Sequence, residues 1–115
     1  MTTKRGDVVL VWFPHSDLAT FKRRPALVVQ ADGLATGIPQ VVVAMITSNL
    51  ARLGHASRVS VSLSSPAGVA SGLLADSVVM TDNLATVSIR ALASVIGALP
   101  DLGAVNAALR HTLGL

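Results

Sequence analysis

The sequence has no cysteine, no tyrosine and no glutamate among its 115 residues. Without cysteine there is no disulfide, no thiolate zinc site and no cysteine nucleophile. The three histidines (His15, His55 and His111) lie far apart in the sequence without metal-ligand spacing, and no phosphate-binding glycine loop or nucleophilic serine motif is present. We therefore expect a protein without a metal site or a cofactor.

Long apolar runs are also missing. No stretch approaches the roughly 18 apolar residues that a membrane-spanning helix needs. The first seven residues are mostly polar or charged, and they lack the apolar region of a signal peptide. We expect no membrane contact and a cytoplasmic location, with which the lack of cysteine is consistent.

The composition favours a folded, basic domain. Hydrophobic residues make up 51% of the chain and the mean hydropathy is +0.64, so the chain can bury a core. Nine lysines and arginines against six aspartates give a net charge of +3, which is compatible with a polyanionic partner. The length predicts one domain over residues 1–115.

Short apolar segments separated by turn formers predict a mainly β fold. Strands are expected at residues 7–13, 24–30, 40–47, 58–63, around 77–80 and at 93–99. Residues 31–39 and 64–72 are interpreted as connections, and residues 88–91 as one helical turn. These patterns indicate a compact, bent antiparallel sheet or small barrel.

The end of the chain differs from the rest. Asp101 follows Pro100 and is a candidate helix N-cap, because its carboxylate can accept hydrogen bonds from free first-turn amides. Apolar residues then recur at helical spacing up to Leu113, and Gly114 is a stop signal. We expect one C-terminal helix that packs on the sheet.

Three consecutive cations lead into an apolar segment in the run Lys22-Arg23-Arg24-Pro25-Ala26-Leu27-Val28-Val29. Pro25 favours an extended Arg24, so the prediction places Arg24 where a loop meets a strand, a common position for a functional side chain. A second stretch, Ile46-Thr47-Ser48-Asn49, ends a strand in two hydroxyls and an amide. Taken separately, the first stretch suits a solvated charge cluster equally well, and the second is more typical of an ordinary strand-ending turn.

Several motifs, in order along nearly the whole chain, resemble the MazF/PemK family of toxins. They are residues 5–11, Phe13-Pro14, residues 16–18, residues 22–29, residues 46–49, residues 72–79 and residues 107–115. The resemblance implies an SH3-like small β-barrel of the CcdB/MazF/PemK type with a C-terminal helix. It also implies a homodimer, a cognate antitoxin as partner, and metal-independent endoribonuclease activity on single-stranded RNA or mRNA.

The resemblance assigns the catalytic roles to Arg24, which matches the family's Arg-Pro motif, and to Thr47, which matches its strand-ending threonine. RNA can be cut by its own 2′-hydroxyl, and a guanidinium and a hydroxyl can stabilise the charge that then grows on the phosphate. His15 is a further candidate for the general base of this reaction. Phe21 is a candidate for stacking on an RNA base. The expected RNA-binding residues are Ser16, Asp17, Lys22, Arg23, Ser48, Asn49 and Asn83.

The sequence departs from the family pattern at one place. Where many members read Asp-Gln-Ile/Leu-Arg-Thr, this chain has Asp82-Asn83-Leu84-Ala85-Thr86. Ala85 thus replaces a cation that in the family often lines the RNA groove or the dimer contact. Two alternatives stay open: a degenerate member that binds RNA without cutting it, and a CcdB-like gyrase poison of the same fold, which would not need Arg24 and Thr47.

Overall fold

A computed structural model describes residues 2–15 and 17–115. Its elements in chain order are β1 (Asp7–Pro14), β2 (Phe21–Val28), β3 (Gln40–Thr47), β4 (Arg58–Val61), α1 (Pro66–Ser71), β5 (Ser77–Ser88), β6 (Leu92–Ala98) and α2 (Gly103–Leu113), with 3-10 turns at Leu50–Arg52 and Ile89–Ala91. No helix in this described part of the chain is long and apolar enough to cross a membrane.

The strands form one antiparallel sheet in the order β4-β5-β3-β2-β1-β6. The prediction of a mainly β fold with a C-terminal helix is confirmed. The expected barrel is not closed, however, because β4 and β6 do not pair with each other over residues 2–15 and 17–115. Helices pack beside these outer strands instead, α1 against β6 and α2 against β4 and β5.

Alternating side chains give the sheet an apolar cluster on each face. One cluster contains Val9, Val11, Ala26, Val28, Val41, Val43, Met45, Val87 and Leu92. The other contains Val8, Leu27, Ala44, Ile46, Val61, Val79, Leu99 and Val105 of α2. Because both faces of the sheet are covered at its centre, β1, β3 and the Ala26–Val28 part of β2 are mostly apolar.

The second strand begins at Phe21, not at Arg24 as predicted, so all three cations lie within it. β2 pairs with β1 along its whole length, and Arg24 is the partner of Val11. Its pairing with β3 covers only Ala26 to Val28. The cations therefore extend from the sheet on a strand that has a single neighbour, which is a tolerated environment for charge and for Pro25.

The connection predicted at residues 64–72 contains a helix. α1 begins after Ser65, whose Oγ accepts a hydrogen bond from Gly68 N at 3.0 Å, and Pro66 occupies its first turn. Gly72 ends it in the left-handed conformation with φ of 71°. The small residues of this segment favoured a loop in the prediction. The Ser-Pro pair and the closing glycine are nevertheless signals of a helix start and a helix end.

The C-terminal helix starts slightly later than predicted. The capping position is Leu102, although Asp101 Oδ1 still accepts a hydrogen bond from Gly103 N at 2.8 Å. Val105 and Ala108 are the buried residues of α2, whereas Leu113 is 53% exposed. The apolar stripe of α2 thus packs on the sheet in its first two turns and reaches solvent at its end.

Strand β5 is twelve residues long, from Ser77 to Ser88, and the sequence revealed only its first part. Its pairing with β3 shifts where Ala44 faces Leu84 and the next residue, Met45, faces Met80. Residues 81–83 therefore bulge out between two regular halves. A bulge of this kind bends the sheet and redirects side chains near a site.

Candidate functional site

The sheet opens between β2 and β3 next to the cations. The hydrogen-bonded pairing of the two strands ends at Ala26 and Met45, directly before Pro25, which has no amide hydrogen to continue it. Extending the same register by two residues places Arg24 opposite Thr47. Two residues that are distant in the sequence thus come to the mouth of one opening.

Two open pockets lie on either side of this opening, and Arg24 and Thr47 line both of them. The first pocket has a volume of about 550 Å³ and is also lined by Lys22, Arg23 and Ser48. Its apolar walls come from Leu10, Leu73, Leu74 and Ile96. The second pocket has a volume of about 420 Å³, and its other lining residues are Phe13, Met45, Ile46, Asn49, Arg52, Met80, Asn83 and Ala85.

The charge of the two pockets is of one sign. Their described lining contains the cations Lys22, Arg23, Arg24 and Arg52, and no carboxylate. Across the described residues, the one ion pair joins Arg58 to Asp82, so no carboxylate neutralises Arg24. Unpaired cations in a concave, partly apolar site attract an anion such as a phosphate diester.

Thr47 is half-buried at the end of β3. Its Oγ1 accepts a hydrogen bond from Asn49 N at 3.1 Å, which fixes the rotamer and leaves the hydroxyl hydrogen for another acceptor. Asn49 in turn caps the Leu50–Arg52 turn, because its Oδ1 accepts from Ala51 N at 3.1 Å. The strand end and the following turn are therefore one hydrogen-bonded unit.

The structure brings most of the predicted site residues to these pockets. Lys22, Arg23 and Ser48 line the first, and Asn49 and Asn83 line the second. The Arg23 guanidinium also lies 5.7 Å from the centre of the Trp12 ring, a cation–π distance that orders both side chains.

Asp17 lies outside both pockets, and Ser16 is outside the described residues. The Asp17 carboxylate accepts hydrogen bonds from Ala19 N at 2.9 Å and Thr20 N at 3.2 Å. The Ala19 hydrogen bond, followed by that from Thr20, holds the pKa of Asp17 below its ordinary value. The carboxylate thus shapes the turn between β1 and β2.

The histidines do not contribute to the pockets. His15 and Phe21 line neither one. His55 and His111 meet elsewhere, with ring centres 6.0 Å apart. In the part of the chain that the structure describes, no three potential ligands come together in a way that could hold a metal ion.

Sequence reasoning missed Arg52 and the wall formed by Leu73 and Leu74. Arg52 is brought to the second pocket by the turn that Asn49 caps, and an asparagine at a strand end is the signal that could have indicated this turn. Leu73 and Leu74 follow α1, whose position depends on packing against β6.

Comparison with known proteins agrees with this fold. A family model described as "PemK-like, MazF-like toxin of type II toxin-antitoxin system" matches residues 4–113. The chain belongs to this toxin family. No curated protein matches the toxin.

Solved structures with a similar fold include mycobacterial proteins and one from Deinococcus radiodurans. The Mycobacterium tuberculosis toxin MazF-mt6 is 26% identical to this toxin with a TM-score of 0.74, over 95% of this chain and 97% of that one. A mycobacterial endoribonuclease in complex with its cognate antitoxin is 24% identical with a TM-score of 0.74, over 99% and 97% of the chains. MazE-MazF from Deinococcus radiodurans is 22% identical with a TM-score of 0.75, over 100% of this chain and 99% of that one. Because the last two structures are less than 25% identical to this chain, they show the fold alone.

Proposed function

We propose that the toxin is a metal-independent endoribonuclease that cuts single-stranded RNA, including mRNA, at short sequences. The observation that carries this proposal is the position of Arg24 and Thr47, which line both cationic pockets at the opening between β2 and β3. Membership of the toxin family supports it. The pockets together can accept a phosphate at the opening and a nucleotide on each side.

The chemistry requires the RNA, these two residues and water, which reaches both open pockets. The RNA 2′-oxygen forms a bond to the adjacent phosphorus and gives up its proton to water, and the bond from phosphorus to the 5′-oxygen breaks as that oxygen gains a proton from water. The products are a 2′,3′-cyclic phosphate and a 5′-hydroxyl. Arg24 can bind the non-bridging oxygens through its planar, permanently charged fork, and Thr47 can donate its free hydroxyl hydrogen to them.

We expect the purified toxin to cut a long single-stranded RNA into discrete fragments with EDTA present. Replacing the ribose on the 5′ side of a mapped cut by 2′-deoxyribose should abolish cutting at that site, because the nucleophile is then missing. Gel mapping and mass spectrometry of the fragment ends measure both effects. Equal cutting of the deoxy-substituted RNA, or loss of activity in EDTA, would contradict the proposed chemistry.

The non-cutting alternative has one observation in its favour. Asn83 and Ala85 both line the second pocket, so the departures from the family pattern fall at the site itself. RNA binding without fragments in the same assay would support this alternative. Indifference to RNA would instead favour a protein target.

We also propose that the toxin is a homodimer and that a cognate antitoxin binds it. Leu74, which is 97% exposed, lies at the first pocket, and Val69, which is 76% exposed, precedes it on α1. Apolar side chains exposed to this extent beside a site favour coverage by another chain. Light scattering after gel filtration should give twice the 11.8 kDa of one chain, and a monomeric mass at micromolar concentration would contradict the dimer.

A further inference from the structure

The second pocket has two polar walls that lie outside the regular strand pairing. One is the Leu50–Arg52 turn, which brings Arg52 to the pocket, and the other is the bulge of residues 81–83, which brings Asn83. Neither wall is held by a β-ladder along its length. Their separation therefore depends on side-chain contacts.

Arg58 makes a contact with each wall. Its Nη2 donates to Asp82 Oδ2 at 2.8 Å and its Nε donates to Asp82 Oδ1 at 3.4 Å, so Arg58 binds the residue next to Asn83 with two hydrogen bonds. Its Nη1 donates a hydrogen bond to Arg52 O at 3.3 Å. Because the guanidinium is rigid and planar, these contacts fix Asp82 and Arg52 relative to each other.

The bulge has a separate anchor that does not involve this side chain. Thr81 Oγ1 donates to Ser57 O at 2.6 Å, and Thr81 N donates to the same oxygen at 3.0 Å. The fold can therefore survive loss of the Arg58 side chain. The Asp82 anchor and the Arg52 link would be lost with it.

The Arg58–Asp82 pair is half-exposed, with side-chain accessibilities of 22% and 32%. Pairs of this kind contribute little to stability. The hydrogen bond from Arg58 holds the pKa of Asp82 below its ordinary value, so the pair is ionised at neutral pH. The main effect of this ion pair is to fix the positions of Arg58 and Asp82.

We propose that Arg58 is a positioning residue that holds the two polar walls of the second pocket together and thereby sets which RNA bases the pocket accepts. The selectivity half of this proposal rests on the proposed ribonuclease function, whereas the link between the walls does not. Arg58 itself does not line either pocket. It acts through Asp82 and Arg52 on the side chains that do.

The link can be tested without RNA by amide hydrogen exchange. Arg52 N and Leu53 N donate within the turn to Asn49 O at 3.1 Å and Leu50 O at 3.2 Å, so their exchange reports the order of that wall. Arg58→Ala should raise their exchange rates at least about fivefold, since the turn loses its link to the bulge. Asp82→Ala should raise them too, although Asp82 does not touch the turn, because Arg58 then loses its anchor.

Arg90 provides the matched control. It is exposed on the Ile89–Ala91 turn, and its guanidinium has no hydrogen-bond partner among residues 2–15 and 17–115. Arg90→Ala should leave the exchange of Arg52 and Leu53 unchanged. Wild-type exchange in Arg58→Ala would overturn the link, and wild-type exchange in Asp82→Ala alone would show a local contact without coupling, which also overturns it.

The selectivity half is tested with RNAs that differ at one base next to a mapped cut. Arg58→Ala should change the ratio of their kcat/KM values at least about tenfold, since small displacements of a binding wall have large effects. Arg58→Lys keeps the charge but cannot reach both acceptors, so it should shift the ratio in the same direction. The dependence of RNA binding on salt should be the same in Arg58→Ala as in wild type, because the proposal gives Arg58 no contact with a phosphate. Loss of a direct phosphate contact would lower the slope of that dependence by about one.

The possible results bear separately on the selectivity role of Arg58 and on the link between the two walls. An unchanged ratio in both Arg58 variants, or an equal loss of activity on every RNA, would overturn the selectivity role. A lower salt slope would show a phosphate contact in its place. If the wild-type toxin cuts no RNA, the proposed function fails and selectivity fails with it, while the exchange rates still decide the link.

Discussion

Arg24→Ala should lower the rate of RNA cleavage by about 10²- to 10³-fold, the usual effect of losing one well-placed donor to a developing oxyanion. Arg24 is exposed at the opening between β2 and β3, lines both pockets and has no carboxylate partner in the described chain. Its charge is therefore available to the phosphate of the bound RNA. The loss should appear in kcat as well as in KM, because the phosphate charge grows in the transition state.

The fold of this variant should be intact. An exposed side chain without a described partner contributes little to stability, within about 0.5 kcal/mol. Circular dichroism and urea unfolding check this, and Arg90→Ala is the control for the loss of one exposed arginine. Cleavage within a factor of about three of wild type by a folded Arg24→Ala protein, far less than the expected donor loss, would remove Arg24 from the catalytic role.

Three further variants separate the contribution of the Arg24 charge from that of its planar guanidinium and test the Thr47 hydroxyl. Arg24→Lys keeps a positive charge without the planar fork, so we expect activity between those of wild type and Arg24→Ala. Thr47→Ala should also lower kcat by about 10²-fold or more, since it removes the hydroxyl that the Asn49 amide orients. Thr47→Ser, which keeps the hydroxyl, should restore most of the rate.

Gly72→Ala should destabilise the fold by about 3 kcal/mol, combining overpacking with left-handed backbone strain. A Cβ at Gly72 would lie 2.0 Å from Ile96 O, and the residue has φ of +71°. Gly97 makes the reciprocal close approach, since its Cβ would lie 2.4 Å from Ala70 O. α1 and β6 thus meet backbone to backbone, and no side chain can yield to relieve the contact.

Gly33→Ala is the matched control for this substitution. Gly33 has φ of +66°, close to that of Gly72, but nothing lies within 4 Å of its added Cβ. It should therefore cost only the conformational strain, about 1 kcal/mol. Equal losses in urea unfolding for the two variants would show that the contact between α1 and β6 is not tightly packed.

The Gly72 contact also matters for the site. It sets where the chain leaves α1, and Leu73 and Leu74 then form a wall of the first pocket. In the sequence, residues 72–79 resemble a family motif, whereas residues 64–72 are predicted to be a connection. The boundary signals Ser65, Pro66 and Gly72 were present, and small residues between them obscured a helix of six residues.

Local patterns were sufficient for much of the fold. β3 has the predicted bounds, and β1, β6 and α2 lie within a few residues of prediction, because each is an apolar run between turn formers or at helical spacing. The start of β2 was wrong, since pairing with β1 extends it through Lys22, Arg23 and Arg24 against their weak preference for strands. The bulge at residues 81–83 depends on contacts with Ser57 and Arg58 and had no local signal.

The sequence by itself determined the chemistry that this toxin has available: no thiols, an excess of cations, and the ordered motifs that contain Arg24 and Thr47. Only the tertiary structure decided which of those groups meet. Pro25 and the short pairing of β2 with β3 open the sheet beside Arg24 and Thr47. Arg58 contacts both walls of the second pocket, through its ion pair with Asp82, 24 residues away in the sequence, and its hydrogen bond to Arg52. Side-chain type is a property of each residue, whereas proximity depends on strand register and backbone packing across the whole chain.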